Sequence, residues 1–122
     1  MEKDIGTKGG DRLSIFIVDI YLVKTEKLSQ FMQYIQKFLK HKEENPEKFK
    51  ECKSWRVFRQ AFSEMSGAFI EMMEFENMAE AEKWGARMRE DKVMVKYREE
   101  FMPLIEPATH SMKLWNSVTH SD

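Results

Sequence analysis

Between Leu13 and Val23 the chain is apolar on both faces of a strand, which restricts the possible folds more than any other feature. Side chains alternate across a strand. Phe16, Val18, Ile20 and Leu22 therefore point one way, while Leu13, Ile15, Ile17, Tyr21 and Val23 point the other, with only Asp19 interrupting the second set. A strand buried on both sides needs two covers. Two helical segments in so short a chain supply one, and a second copy of the protein is the expected other. An open sheet closed by dimerisation follows, with Ile17→Glu expected to disturb the pairing.

Helical periodicity follows the strand. Thr25 is placed to cap a helix, and Leu28, Phe31, Met32, Ile35, Phe38 and Leu39 recur at spacings of three and four as one apolar stripe. The helix is expected to fade through the charged run His41 to Glu44, and Asn45-Pro46 to start a short extra helix over Glu47 to Glu51. Two strand-like runs, Ser54 to Phe62 and Ala68 to Phe75, flank a hairpin-like Ser63 to Gly67. Asn77 and Glu80 have the spacing of a capping box, and Met78, Ala81, Trp84, Gly85 and Met88 form the inner stripe of a second helix. A bend at Glu90-Asp91 leads to a further helical piece carrying Met94, Tyr97 and Phe101 inward, ended by Pro103 and Pro107. Thr109 to Val118 reads as the last strand.

The order strand, helix, strand, strand, helix, strand gives, with right-handed crossovers, a ferredoxin-like α+β plait. Its four-stranded antiparallel sheet carries both helices on one face and dimerises sheet to sheet into a barrel. One domain over residues 13–118 is expected, between an N-terminal tail (1–12) and a C-terminal tail (119–122).

Bulk properties exclude several function classes. Lys plus Arg number 20 against 21 Asp plus Glu, so the basic surplus of a nucleic-acid-binding chain is missing. The lone Cys52 rules out an intrachain disulfide and any CxxC metal or redox motif, and fits a reducing compartment. No apolar run approaches the roughly 20 residues of a membrane span. Met1 to Arg12 carries charges and glycines where a signal peptide needs an apolar core. The expectation is a cytoplasmic protein without nucleic-acid or membrane partners.

The element order, the length, the stretch Ile15-Phe16-Ile17-Val18-Asp19-Ile20-Tyr21-Leu22-Val23 with Leu28 to Leu39 behind it, and Phe75-Glu76-Asn77-Met78-Ala79-Glu80-Ala81 entering a helix resemble the dimeric α+β barrel superfamily. So do the later Tyr97 and Pro103 and the closing strand; the likeness spans residues 13 to 118. Its members include the antibiotic-biosynthesis-monooxygenase-like and NIPSNAP-like proteins. The resemblance implies two plaits packed sheet to sheet, with small apolar or aromatic ligands bound between sheet and helices or inside the barrel. Activities in the superfamily include cofactor-free oxygenation, haem degradation, isomerisation and decarboxylation. Haem-degrading members use an Asn on the first strand and a Trp and a His on the second helix. This chain has Asp19 and no Asn on its first strand, and Trp84 but no His on its second helix, which disfavours haem degradation.

Asp19 is the first candidate catalytic residue. A carboxylate among Ile15, Ile17 and Tyr21 on a buried face needs a partner, and such a setting raises its pKa toward that of a useful base. The structural alternative is a salt bridge to Arg56 or Arg59, or a place at the barrel rim. His110, the only histidine within an expected element, is the second, as acid or base near neutral pH; a hydrogen-bonded histidine at the start of an edge strand is the alternative. Glu71 and Arg56 form either a cross-strand ion pair or polar handles in a pocket. Trp84, Trp55, Trp115 and Tyr21 are aromatic pocket candidates that also suit a core, and Met72, Met73, Met78, Met88 and Met94 suit either an adaptable pocket lining or core filling. No second ligand stands at metal spacing from His110, so neither a metal nor a cofactor is expected. The expected function is a homodimeric binding protein for a small apolar molecule. The alternative is a cofactor-independent monooxygenase or isomerase, and a cavity of about 300 Å³ or more reaching Asp19 separates a pocket from a packed interior.

Overall fold

The computed structural model describes residues 13–62, 64–119 and 121. The tail expected over residues 1–12 lies outside them, as do Ser63 of the hairpin and His120 and Asp122 of the C-terminal tail. The strands are β1 (Ile15–Tyr21), β2 (Cys52–Arg59), β3 (Phe69–Phe75) and β4 (Ser111–Asn116). The α-helices are α1 (Leu28–Glu44), α2 (Met78–Glu90) and α3 (Lys92–Phe101). The sheet order is β2-β3-β1-β4 with every neighbouring pair antiparallel, the expected plait.

Most boundaries have a local cause. The Asn77 side chain accepts a 3.0 Å bond from the Glu80 N–H at the start of α2, as its position in the sequence predicts. Asp91 is extended, ends α2, and caps α3 through bonds from the N–H groups of Val93 (2.8 Å) and Met94 (3.3 Å). The first helix begins differently from the expectation. Thr25 is the first residue of a 3₁₀ turn, Thr25–Lys27, and makes no side-chain cap; α1 proper starts at Leu28 and continues through the charged run to Glu44. The Pro46 helix is a single 3₁₀ turn, Pro46–Phe49. In the β2–β3 hairpin, Gly67 at φ +88° donates a 2.7 Å bond to the Gln60 carbonyl, a backbone conformation suited to glycine.

Alternation divides the sheet. Ile15, Ile17, Asp19 and Tyr21 of β1 stand opposite Phe75, Met73, Glu71 and Phe69 of β3, and this face packs on the helices. Tyr21, Phe31, Ile35, Phe69, Phe101, Leu104 and Ile105 form one buried cluster. Phe38, Phe49, Met88 and Met94 form another where the helices meet. On the opposite face, register sets Phe16, Val18 and Ile20 beside Ile70, Met72, Arg56 and Phe58, with Lys113 and Trp115 on β4. Ile17 is therefore on the helix-covered side, packed against the cluster of Ile15, Cys52, Phe75 and Ala81. Assigning it to a dimer surface was incorrect, because the strand's odd-numbered residues are the ones that face the helices.

Candidate functional site

Between the helix-covered face of the sheet and the helices lies a cleft of about 310 Å³. Asp19, Trp55, Glu71 and Met73 form its sheet wall, and Trp84, Met88, Arg89, Tyr97, Arg98 and Phe101 are among its helix-side residues. The volume reaches Asp19 and meets the criterion that separates a pocket from a packed interior.

Glu71 faces Asp19 directly across the β1–β3 ladder. Its carboxylate accepts a 2.8 Å bond from the Tyr21 hydroxyl and a 3.0 Å bond from Nε1 of Trp55. Burial pushes the Glu71 carboxyl above its ordinary range, and the neighbouring Asp19 charge adds to this, while the two hydrogen bonds and His110 oppose it. Burial, followed by the charge of Glu71, also pushes the Tyr21 hydroxyl far upward, so it remains a neutral donor.

Asp19 has a partner of its own. Its Oδ1 lies 2.9 Å from Nε2 of His110, a residue 91 positions away in the chain. The segment after α3 brings the histidine there. Glu106 donates its N–H to the Leu22 carbonyl at 2.8 Å, and the Leu22 N–H donates to Oγ1 of Thr109 at 3.0 Å. These bonds stitch the loop to the end of β1, and the His110 ring meets Tyr21 and Phe101 edge-on at 6.1 and 6.3 Å. Two hydrogen-bonded pairs, Asp19–His110 and Tyr21–Glu71, thus stand side by side across the β1–β3 ladder, with Asp19 and Glu71 on the sheet wall of the cleft.

Two ion pairs hold the helix wall. Arg87 of α2 makes a bidentate pair with the buried Glu51 and also donates to the Lys48 carbonyl at 3.0 Å. Lys48 pairs with Asp91 at 2.8 Å. The α2–α3 junction is thereby docked on the segment between α1 and β2, which positions Trp84 and Met88.

Several expectations need correction. Asp19 pairs with His110 and not with Arg56 or Arg59, and Glu71 pairs with Tyr21 and Trp55 and not with Arg56. Arg56 stands opposite Met72 on the other sheet face; nearby, Glu74 is held below the usual carboxylate range, against burial, by hydrogen bonds from Ser14 and Ser54 and, after them, by the charges of Lys53 and Arg56. Trp115 is opposite Phe16 on that same outer face and 46% exposed, so it does not line the cleft. Of the methionines, Met73, Met88 and Met94 line it, whereas Met72 is on the outer face and Met78 is exposed. Cys52 is buried, and burial raises its thiol pKa above the ordinary value, an inert setting. Arg89 and Arg98 line the cleft and were not foreseen; each follows a stripe residue, Met88 and Tyr97, which is the signal that marks them. Among the described residues no three His, Cys, Asp or Glu side chains are grouped to hold a metal ion, and no helix is long and apolar enough to cross a membrane.

No protein-family model matches the chain, and no curated protein matches it in sequence. Solved structures do match. A NIPSNAP family protein of unknown function from Agrobacterium tumefaciens superposes with a TM-score of 0.65 at 12% identity, over 88% of this chain and 91% of that one. A putative antibiotic biosynthesis monooxygenase from Caulobacter crescentus gives 0.66 at 11% identity, over 94% and 98%. A hydroxynitrile lyase from Passiflora edulis gives 0.64 at 14% identity, over 91% and 99%. At such identities the likeness is one of fold. The chain therefore has the ferredoxin-like α+β fold shared by the NIPSNAP and antibiotic-biosynthesis-monooxygenase-like proteins, the fold its sequence resemblance implies.

Proposed function

We propose that residues 13–118 form one domain of a cytoplasmic homodimer that binds a small apolar or aromatic molecule in the cleft between sheet and helices. The observation that carries this reading is the cleft of about 310 Å³, with aromatic and methionine walls around a few convergent polar groups. That combination is characteristic of small-molecule sites. Pairing of two sheets is supported by the outer face, where Phe58 and Trp115 are 44% and 46% exposed beside the other apolar residues of that surface.

A second reading, an isomerase or cofactor-independent monooxygenase, is favoured by one specific relationship. The hydrogen-bonded Asp19–His110 pair stands beside Glu71, a carboxyl whose pKa burial raises, and an acid and a base placed side by side suit proton transfer. In that reading the Asp19–His110 pair takes a proton from a bound substrate and Glu71 stores or returns one.

The three tryptophans supply the test. Titration of ¹⁵N-labelled protein with 2-naphthalenemethanol is expected to shift the indole N–H signals of Trp55 and Trp84, which line the cleft, and to leave that of Trp115 in place. No shift at Trp55 and Trp84, or a shift at Trp115 alone, would overturn the binding reading.

A further inference from the structure

Arg89 and Arg98 both line the cleft at its exposed edge, one from α2 and one from α3, and neither side chain forms an ion pair or hydrogen bond among the described residues. Arg87, two positions earlier, shows the contrast: it is committed to Glu51 and the Lys48 carbonyl. The two carboxyl groups on the sheet wall do not occupy the free guanidiniums either, since Asp19 is bound to His110 and Glu71 to Tyr21 and Trp55.

Arg89 folds back along its own helix. A Cβ placed on Gly85, which also lines the cleft, would stand 3.3 Å from Nη1 of Arg89. The bare glycine lets the guanidinium lie against the helix one turn earlier. Nε1 of Trp84, the residue before that glycine, is enclosed and has no hydrogen-bond partner. The adjoining groove shares Tyr97 with the cleft and is lined by Lys37, Lys92 and Lys96, with Glu100 as its one acidic lining residue. Positive charge and unused donors therefore gather on the helix side, carboxyl groups on the sheet side, and aromatic rings between.

We infer that the cleft selects an aromatic carboxylate, its anionic group held by Arg89 and Arg98 and its ring system among the aromatic side chains, with the opposite end at Asp19 and Glu71. This rests on the small-molecule reading above and names the ligand class. A guanidinium matches a planar carboxylate through two parallel N–H···O bonds, and hydrogen bonds to charged groups are the stronger kind.

The experiment compares 2-naphthoate with 2-naphthalenemethanol, matched in ring and length and differing in charge, by the Trp55 and Trp84 indole shifts in the intact protein. The naphthoate is expected to bind about tenfold or more tightly. Arg89→Gln and Arg98→Gln are expected each to weaken naphthoate binding, and in the double variant the ratio of naphthoate to alcohol affinity, both measured on that variant, is expected to fall to about one. Equal affinities in the wild type, or a preference that survives in the double variant, would overturn the carboxylate inference and leave the cleft as a neutral pocket. If neither probe shifts the two indoles, the inference and the binding reading fall together.

Discussion

Asp19 and Glu71 stand directly opposite each other across the β1–β3 ladder, so two carboxyl groups share the sheet wall of the cleft. Like charges in such register oppose joint ionisation. Burial, and after it the Asp19 charge, raises the pKa of Glu71 against the lowering effect of its hydrogen bonds from Tyr21 and Trp55. A carboxyl raised in the folded state binds more protons folded than unfolded. Its contribution to stability is full below the unfolded value near 4.5 and is lost as pH rises through the folded value. Glu71→Gln removes that loss. Its unfolding free energy, measured by urea titration at several pH values, is expected to gain on the wild type as pH rises from 4.5 toward neutrality. A constant difference across that range would contradict the assignment.

Tyr21→Phe deletes one of the two donors to Glu71 without changing the ring contacts with Phe31, Phe69 and Phe101. Losing a donor to a buried acceptor costs about 1–3 kcal/mol. The remaining carboxyl should also titrate higher than in the wild type. Carboxyl resonances followed by NMR against pH check the second effect; a lower titration midpoint would show that Tyr21 does not stabilise the ionised form.

The Arg87–Glu51 pair fixes the helix wall. Arg87→Met leaves Glu51 buried and uncompensated, and breaking such a pair costs about 3 kcal/mol or more. The guanidinium beside Glu51 holds its carboxyl below the ordinary 4.5. That stabilisation is present above the unfolded pKa and is lost as pH falls through the folded one. The gap between Arg87→Met and the wild type in chemical denaturation is thus expected to be widest near neutrality and to narrow in acid.

The outer sheet face yields a prediction about assembly. Phe58→Glu is expected to convert a dimer into a monomer by sedimentation, because the residue lies on that face. Ile17→Glu is expected to destabilise the fold, since Ile17 packs on the helix side. A dimeric, well-folded Phe58→Glu protein would remove the support for sheet-to-sheet pairing.

The elements and their order were legible because local signals mark them: the two-sided apolar run of β1, the three-and-four stripe of α1, the Asn77-to-Glu80 spacing at the start of α2 and the bend at Glu90-Asp91 before α3. The candidate site was legible only as separate residues. Asp19 and His110 are both conspicuous in the sequence, but their meeting depends on the loop after α3 being stitched to β1 through Thr109 and Glu106. No local pattern reports that. Arg56 was misplaced for a related reason. β2 mixes charged and apolar residues on both faces, so alternation alone does not say which face meets the helices, and register with β3 decides it. Trp115 does not line the cleft because it lies on the outer face of an edge strand exposed along its length.

Gly85 provides the most direct measurement of the central claim. Leucine there favours the helix by roughly 1 kcal/mol over glycine; its Cβ would press only on the tip of Arg89, and the rest of its side chain is expected to occupy the cleft that Gly85 lines. Native mass spectrometry of wild type and Gly85→Leu, purified without added ligand, compares the two with thermal stability as the control for folding. The wild type is expected to carry extra mass that organic solvent releases, and the variant, as stable or more so, to carry none. The same extra mass on both proteins, or none on either, would contradict a ligand held between the sheet and the helices.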